Sequence, residues 1–308
     1  MKILLIGLGS IAKKHIAALR TLKIDFTIYA LRSNKNAEIE EGVEDIFSLD
    51  EVNVVFDFAI ISNPTHLHFD YIEKLAQRGI DLFIEKPAIH SLENGDKLVQ
   101  LIRDEKIITY VACNMRFHPC ITFLKNKLDN ETLRINEVNV YCGSYLPDWR
   151  PGKDFRTIYS SIASMGGGVH LDLFHELDYT TWLFGLPRHS ESVLKSSSSL
   201  NIDSIDYANY ILDYKTFTAS IILNYYRRTP KREIEIILEN ETWTVDLIKN
   251  EIKNDKEEIL FQDYTFNLKE TYANQLEYFI YCLKNNISPM NGLSESIELL
   301  KICLKNEL

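Results

Sequence analysis

The sequence predicts an α/β protein in which an N-terminal, doubly wound parallel sheet is followed by a C-terminal α+β domain with a large, mostly antiparallel open sheet. The chain has 308 residues, which is long for a single core. Its first third alternates short apolar runs with helical patterns, as in a parallel sheet covered by helices. After about Pro119, β-rich patterns follow one another with few helices, which indicates antiparallel pairing. We therefore predict two domains, at 1–118 and 119–308.

Apolar runs and helical periodicity give the individual elements. In the first domain, strands are predicted at Lys2–Ile6, Phe26–Leu31, Val54–Ser62, Asp81–Ile84 and Ile107–Ala112, and helices at Ser10–Leu22, Thr65–Arg78 and Leu92–Asp104. In the second domain, strands are predicted at Val138–Tyr145, Tyr207–Asp213, Thr218–Tyr226 and Glu233–Leu238, and helices at Val169–Phe184, Thr271–Asn285 and Ser294–Lys305.

Composition and charge narrow the class of protein. A formal net charge of −10 argues against nucleic-acid binding, because the phosphates would be repelled. The five cysteines are scattered and form no CxxC pair, so we expect reduced thiols in a cytoplasmic protein. The apolar run at the N-terminus is too short for a signal sequence, and no run reaches the ~18 residues of a membrane span.

A glycine turn directly follows the first predicted strand. Residues 7–12 read Gly-Leu-Gly-Ser-Ile-Ala and fit G-x-G-x-x-G/A between a strand and a helix. In that motif Gly7 permits the tight turn, Gly9 lets the backbone approach a pyrophosphate, and Ala12 brings helix and strand together. The helix N-terminus adds free N–H groups and a partial positive charge. These features predict a Rossmann domain that binds a dinucleotide.

The end of the second strand suggests which dinucleotide is bound. An NAD-binding domain usually has an acidic residue there for the ribose hydroxyls, about 20 residues after the turn. This chain instead has Arg32 and Ser33, which suit a 2′-phosphate. We therefore expect NADP. The alternative is that Arg32 is a solvated loop residue and that the cofactor is NAD.

Four segments together resemble the Gfo/Idh/MocA family, which includes glucose–fructose oxidoreductase and inositol dehydrogenase. They are G-x-G-x-x-A-x-x-H from Gly7 to His15, Glu85-Lys86-Pro87 at a strand end, N-x-R-F-x-P from Asn114 to Pro119, and the Gly-rich turn and helix from Gly166 to Asp178. The resemblance runs in order from residue 3 to about 186. It implies an enzyme that interconverts a hydroxyl and a carbonyl on a sugar, a cyclitol or a nucleotide or sialic-acid-like sugar by hydride transfer.

The resemblance also implies the catalytic residues. Lys86 is expected beside the nicotinamide and the reacting oxygen, and His175 is expected to take the hydroxyl proton. Asp172 matches the family's aspartate, which binds substrate and orients the base. The usual spacing is D-x-x-x-H, whereas Asp172 and His175 are three apart. Positions three apart on a helix still share a face, so the two side chains are expected to converge.

Binding residues are predicted around these groups. The expected cofactor contacts are Gly7, Gly9, Ser10, Ile11, Ala12, Arg32, Ser33, Ser62, Asn63, Pro64, His68, Glu85 and Lys86. The expected substrate contacts are Arg116, Trp149, Arg156, Tyr159 and His170. The cluster from Tyr145 to Tyr159, with Arg150 and Asp154, suits a sugar ring with hydroxyls or an anionic substituent, although a plain surface loop would have the same composition.

Other interpretations remain open. His66, His68, Asp172 and His175 are ligand types for zinc, but H-x-H in this motif better suits turn and ribose contacts, so we expect no metal. A non-catalytic cofactor-binding regulator or an idle structural subunit would share the fold, although Lys86 and His175 favour the enzyme. The resemblance also implies a homodimer or homotetramer, because family members often assemble through the second sheet.

Overall fold

The computed structural model describes residues 1–50 and 52–305. The chain forms two compact units. The first contains Met1–Asn114 and Leu268–Leu300, and the second contains Met115–Asn267 and the described residues from Lys301 onward. The predicted boundary at 118 lies close to the first change of unit. The return of residues 268–300 to the first unit was not predicted from the sequence.

The secondary structure of the described residues is numbered along the chain. Strands β1 to β14 span Lys2–Ile6, Thr27–Leu31, Val43–Ile46, Phe58–Ile61, Leu82–Ile84, Thr109–Val111, Ile135–Tyr145, His189–Lys195, Tyr207–Asp213, Thr218–Asn224, Tyr226–Leu238, Thr242–Asp246, Glu251–Asn254 and Ile259–Gln262. Helices α1 to α8 span Ser10–Thr21, His68–Ala76, Gly95–Asp104, Pro119–Asn130, Val169–Asp172, His175–Phe184, Glu270–Asn285 and Leu293–Cys303. None of the helices in the described residues is long and apolar enough to cross a membrane.

The first unit is built on a parallel sheet. Within the described residues this sheet has six strands in the order β3-β2-β1-β4-β5-β6. Each neighbouring pair is parallel, as predicted for a doubly wound sheet. The strand order reverses between β1 and β4, and this is the position at which open α/β sheets bind ligands. The central strands β4 and β5 are fully buried, in keeping with their continuous apolar sequences.

The register of the central strands brings three loops to one edge. Ile6 pairs with Ile61, and Ile61 pairs with Ile84, so β1, β4 and β5 end in the same row. Gly7, Ser62 and Glu85 are therefore the first residues to leave the sheet, side by side at its carboxyl edge. This edge carries three groups of predicted cofactor contacts: the glycine turn, the loop at Ser62–Pro64 and the pair Glu85 and Lys86.

The second unit is built on a mostly antiparallel sheet, as predicted. Within the described residues it has eight strands in the order β14-β13-β12-β11-β7-β10-β9-β8. Strands β7 and β10 are parallel, and the other neighbours are antiparallel. In β10, buried Ala219, Ile221 and Leu223 alternate with more exposed side chains, so that one face of the sheet is covered.

Several predicted elements need correction. Strand β3 was missed because Glu44 and Asp45 interrupt its apolar pattern. The predicted strand Val54–Ser62 is regular only at Phe58–Ile61, and the helix predicted at Thr65–Arg78 begins at His68 after a short 3₁₀ turn. The predicted helix Val169–Phe184 is two helices, α5 and α6. The break falls at Leu173, whose φ of −98° and ψ of 34° lie outside the helical region.

Candidate cofactor and substrate sites

The glycine turn between β1 and α1 is open on one side and tightly packed on the other. Gly7 has φ +83°, and a Cβ on it would lie 3.1 Å from Cα and Cβ of Asn63, so the position requires glycine. A Cβ on Gly9 would meet nothing within 4 Å, which leaves the backbone accessible. No side chain caps the N-terminus of α1, which begins at Ser10. The first N–H groups of this helix are therefore available to an anion.

The side chain of Asn63 is a second feature, besides the glycine turn, that fits a bound dinucleotide. Both polar atoms of its side-chain amide are buried, and neither has a hydrogen-bond partner among the described residues. A buried amide without partners is costly, and a polar ligand at this edge would satisfy it. The neighbouring Ser62 hydroxyl donates to the carbonyl of Ile6 at 3.2 Å and fixes the loop beside the glycine turn. Pro64, the next predicted contact, is exposed.

The end of β2 has a neighbour that the sequence analysis did not predict. Nη1 of Arg32 donates to Oδ2 of Asp45 and to the carbonyl of Glu38, both at 2.7 Å. The Arg32 side chain is only 9% exposed. Ser33 is exposed. An acidic side chain therefore does stand beside this strand end, but it comes from β3. The sequence did not reveal this acidic side chain, because β3 was not predicted and because Arg32 and Asp45 are 13 residues apart.

Glu85 and Lys86 follow β5 at the same edge. Nε2 of the fully buried His15 lies 2.6 Å from Oε1 of Glu85. Burial opposes ionisation of Glu85, but the hydrogen bond and the charge of His15 hold its pKa below the usual value. The backbone N–H of Lys86 donates to Oε2 of Glu85 at 3.2 Å. The Lys86 side chain is half-buried, and its bond to Pro87 is cis.

His68, a predicted cofactor contact, is buried, and both of its ring nitrogens lie within hydrogen-bonding distance of backbone carbonyls. Its side chain is 1% exposed, with Nε2 at 2.9 Å from the carbonyl of Asn63 and Nδ1 at 3.2 Å from that of Ala88. Burial lowers the pKa of His68, so the neutral ring is favoured. The ring joins the loop after β4 to the segment after β5. Among the described residues there is no group of three or more His, Cys, Asp or Glu side chains arranged to hold a metal.

In the second unit, the Gly-rich turn leads directly into α5. Gly168 has φ +137°, and a Cβ on it would lie 2.6 Å from Cε1 of His170, so a larger residue cannot stand there. His170, a predicted substrate contact, is 1% exposed and packs against this glycine. At the other end of α5, Asp172 accepts hydrogen bonds from two phenols. Tyr159 donates to its Oδ1, and Tyr225 donates to its Oδ2 at 2.5 Å.

The break at Leu173 changes the relation predicted for Asp172 and His175. Asp172 ends α5 and His175 begins α6, so the argument that three-residue spacing places them on one helix face was wrong. Asp172 and His175 are both half-buried. Tyr225 is a site residue that the sequence analysis missed. It stood inside a predicted strand, and nothing near it in the sequence points to Asp172.

Two predicted contacts, Trp149 and Tyr159, line the surface next to Asp172. The Trp149 ring packs edge-on against Tyr225 at 5.3 Å, and its Nε1 donates to Oγ of Ser144 at 2.8 Å. Trp149 is 37% exposed and Tyr159 is 39% exposed. Burial of the hydroxyl, together with the Asp172 carboxylate, raises the pKa of the Tyr159 phenol. Tyr159 is therefore a hydrogen-bond donor to Asp172 over the working pH range.

Two buried acids on α6, Glu176 and Asp178, follow His175, and each is paired with an arginine. Glu176 is 0% exposed, and its Oε1 lies 2.6 Å from Nε of Arg232. Asp178 accepts from Nε and Nη2 of Arg116 at 3.1 and 2.8 Å. Arg116 is 2% exposed, so the predicted substrate contact is instead half of a buried ion pair. These two pairs fix α6 and thereby the place of His175 in its unit.

The sequence of the first unit is similar to that of a known protein family. Residues 1–113 match the sequence model of GFO_IDH_MocA, an oxidoreductase family with an NAD-binding Rossmann fold. The sheet order, the glycine turn and this match define an NAD-binding oxidoreductase domain. Residues 1–113 are thus similar to the Gfo/Idh/MocA family, the family that the sequence motifs resemble.

Individual relatives are more distant. The chain is 27% identical over 150 residues to 2,7-anhydro-N-acetylneuraminate hydratase of Mediterraneibacter gnavus, which covers 49% of this chain and 38% of the relative. It is 21% identical over 224 residues to scyllo-inositol 2-dehydrogenase (NADP(+)) IolW of Bacillus subtilis, which covers 70% of this chain and 60% of the relative. The chain therefore spans well under the full length of both curated relatives.

Among solved structures, UDP-N-acetylglucosamine 3-dehydrogenase GnnA of Acidithiobacillus ferrooxidans has a TM-score of 0.81 to this chain. The match covers 99% of this chain and 96% of GnnA at 19% identity. At that identity the match shows a shared fold.

Proposed function

We propose that this protein is an NAD(P)-dependent oxidoreductase that interconverts a hydroxyl and a carbonyl on a sugar, a cyclitol or a sugar derivative. One observation carries the proposal. The glycine turn, the loop with the unpartnered Asn63 amide and the Glu85-Lys86 segment leave three neighbouring strands in one row. A lysine therefore stands at the same sheet edge as the turn that suits a dinucleotide. Similar proteins are named for inositols and for amino-sugar derivatives, which supports the substrate class.

The bound nicotinamide supplies the hydride acceptor or donor. In the oxidative direction the carbinol carbon loses a hydride and its hydroxyl loses a proton. We assign that proton to the His175 imidazole, and we assign to the Lys86 ammonium the stabilisation of the developing alkoxide. The hydrogen bond from the Lys86 backbone to Glu85, which is itself held by His15, fixes the start of the lysine-bearing segment.

The test is hydride transfer at 340 nm with NADP⁺ and NAD⁺ over polyols, aldoses and nucleotide sugars. Lys86→Ala and His175→Ala are each expected to lower kcat by about 100-fold or more, because the first removes the charge that stabilises the alkoxide and the second removes the group that takes the proton. Exposed Lys74 and His189 provide matched controls, and Lys74→Ala and His189→Ala are expected to retain activity. Full turnover in both Lys86→Ala and His175→Ala, with the cofactor bound normally, would refute the assignment.

We propose NADP as the preferred cofactor. Nη1 of Arg32 is taken by Asp45 and Glu38, while its Nε and Nη2 make no hydrogen bond within the described chain and remain for a 2′-phosphate. Arg32→Gln is expected to weaken NADP⁺ binding about tenfold and NAD⁺ binding less than twofold. Asp45→Asn, which removes the nearby negative charge, is expected to strengthen NADP⁺ binding. Equal NADP⁺ affinity in wild type and Arg32→Gln would favour NAD.

Assembly and location stay predictions. We expect a homodimer or homotetramer in the cytoplasm, and light scattering on the purified chain measures the first of these.

A further inference from the structure

The segment between β7 and α5 brings the Tyr159 phenol to Asp172 and the Arg150 guanidinium to the Tyr159 ring. It folds as consecutive 3₁₀ turns at Leu146–Trp149, Phe155–Thr157, Tyr159–Ser161 and Ala163–Met165. The hydrogen bond from Tyr159 to Asp172 ties this segment to α5. Its first turn also carries Trp149, which packs on Tyr225. Tyr159 therefore contacts the Asp172 carboxylate directly, and Trp149 packs on Tyr225, the second phenol that binds it.

The charge of this segment differs from that of the whole chain. Residues 148–156 contain three basic and two acidic side chains, in a protein of net charge −10. One basic residue, Arg156, is already paired, with Nη1 at 3.6 Å from Oδ1 of Asp154 and its guanidinium 4.5 Å from the Phe155 ring centre. Arg156 thus has an intramolecular role that accounts for its position.

Arg150 has no such partner. It is exposed, and its guanidinium lies 5.9 Å from the centre of the Tyr159 ring, whose hydroxyl donates to Asp172. No carboxylate of the described residues lies within 4.0 Å of its nitrogens. The ring of Tyr159 thus holds an uncompensated cation close to the Asp172 site. An exposed arginine gains little from a single aromatic contact, so its charge remains available to a ligand.

We propose that the substrate is an anionic sugar whose carboxylate or phosphate is bound by Arg150. This inference rests on the proposed function, because it assigns the substrate class of the same site. Tyr159 and Tyr225 both donate to Asp172, so the negative charge of this carboxylate is engaged by two hydroxyls. Trp149 and Tyr159 supply the partly exposed aromatic surface that sugar rings pack on. Arg150 then distinguishes an acidic sugar from its neutral counterpart by a charge-assisted, two-point contact.

Isothermal titration calorimetry on the full chain tests this without requiring turnover. The probes are matched pairs, D-glucuronate against D-glucose and N-acetylglucosamine 1-phosphate against N-acetylglucosamine, which separate a carboxylate from a phosphate. The wild type is expected to bind at least one acidic probe about tenfold or more tightly than its neutral partner. Arg150→Gln is expected to reduce that preference to about twofold, while Arg134→Gln, at an exposed arginine that pairs with Glu239 outside this segment, retains it.

The outcomes separate this inference from the proposed function. Equal binding of acidic and neutral probes, no measurable binding of either acidic probe, or an unchanged preference in Arg150→Gln would overturn the role of Arg150. Hydride transfer with a neutral sugar would then still support the oxidoreductase. Conversely, an Arg150-dependent preference without cofactor reduction on any substrate would support the anion site and contradict the proposed function.

Discussion

Nε2 of His15 lies 2.6 Å from Oε1 of Glu85, and the two side chains are 0% and 12% exposed. This contact joins α1, which follows the glycine turn, to the end of β5, where Lys86 begins its segment. The His15 ring also packs edge-on against Phe83 and Tyr272, at 5.1 and 5.8 Å. The pair therefore links the predicted cofactor turn to the predicted catalytic lysine through the interior of the first unit.

Removing the histidine from this pair is expected to destabilise the first unit. His15→Leu leaves Glu85 buried without its partner and should lower the free energy of unfolding by about 2–4 kcal/mol. Glu85→Gln keeps a hydrogen-bonding group and should cost about 1 kcal/mol. Urea unfolding followed by circular dichroism measures both values.

The chain contains a matched control for this prediction. His189 and Glu191 are also 2.6 Å apart, but each is 60% exposed. His189→Leu is expected to change the free energy of unfolding by less than about 0.5 kcal/mol, because solvent screens the exposed pair. Equal losses for His15→Leu and His189→Leu would show that the buried contact has no special role.

A second prediction concerns the buried ion pair of Arg116 and Asp178. Each side chain is 1% exposed, and two hydrogen bonds join them. Arg116→Met and Asp178→Leu are each expected to lower the free energy of unfolding by about 3–5 kcal/mol, because each takes two hydrogen bonds and the opposite charge away from a buried ionised side chain. The double variant should lose less than the sum of the two, which a double-mutant cycle in urea measures. Strict additivity would contradict a direct coupling of the charges.

The strand, turn and helix at the N-terminus could be predicted because their information is local. The buried run Lys2–Ile6 and the glycine spacing lie within a few residues of each other, and β1 has the predicted bounds. The charged edge strand β3 could not be found in the same way. Its pattern of two buried positions around Glu44 and Asp45 gives a weak alternation, and its pairing with β2 is a tertiary contact.

The candidate site could be predicted only in part, because sequence motifs are local whereas many of the contacts around the site are tertiary. Motifs point to Lys86, Asp172 and His175, whose roles stay predictions, but sequence spacing could not reveal the helix break at Leu173, which no glycine or proline marks. Partners distant in the chain were also hidden. Arg116 meets Asp178 62 residues later, and Tyr225 meets Asp172 53 residues earlier. Side-chain chemistry suggests what a residue can bind, while the fold decides which partner it meets.

His118 makes a prediction about acid stability. Burial, with a contribution from the charge of Arg232, lowers the pKa of His118 to about 4. Its Nδ1 accepts from the N–H of Cys120 and its Nε2 lies 3.2 Å from the carbonyl of Leu247, so the neutral ring serves as a helix cap. Between the ordinary histidine pKa of about 6.5 and 4, the unfolded chain binds a proton that the folded chain does not.

Stability is therefore expected to fall as the pH drops through this window. The contribution of His118 is fully present above pH ~6.5, and about 3 kcal/mol of it is lost by pH ~4. His118→Asn keeps a capping side chain that does not titrate. Between pH ~6.5 and pH ~4 the variant should therefore lose about 3 kcal/mol less of its free energy of unfolding than the wild type loses. Urea titrations at several values from pH 4 to 7.5 measure this. Parallel curves for wild type and variant would contradict the assignment.

Tyr225 makes the last prediction, for catalysis. It is 0% exposed, and burial, together with the Asp172 carboxylate, raises the pKa of its phenol, so it remains a donor to Asp172 at working pH. Tyr225→Phe removes one hydrogen bond that holds Asp172 and should lower kcat about tenfold while cofactor affinity stays unchanged. Tyr214 is the control, since its partly buried hydroxyl donates to the carbonyl of Gly185 at 3.1 Å. Tyr225→Phe and Tyr214→Phe should each lower the free energy of unfolding by about 1 kcal/mol, but Tyr214→Phe should retain turnover. If both variants lose turnover in proportion to stability, the Tyr225 hydroxyl supports the fold and has no separate part in positioning Asp172.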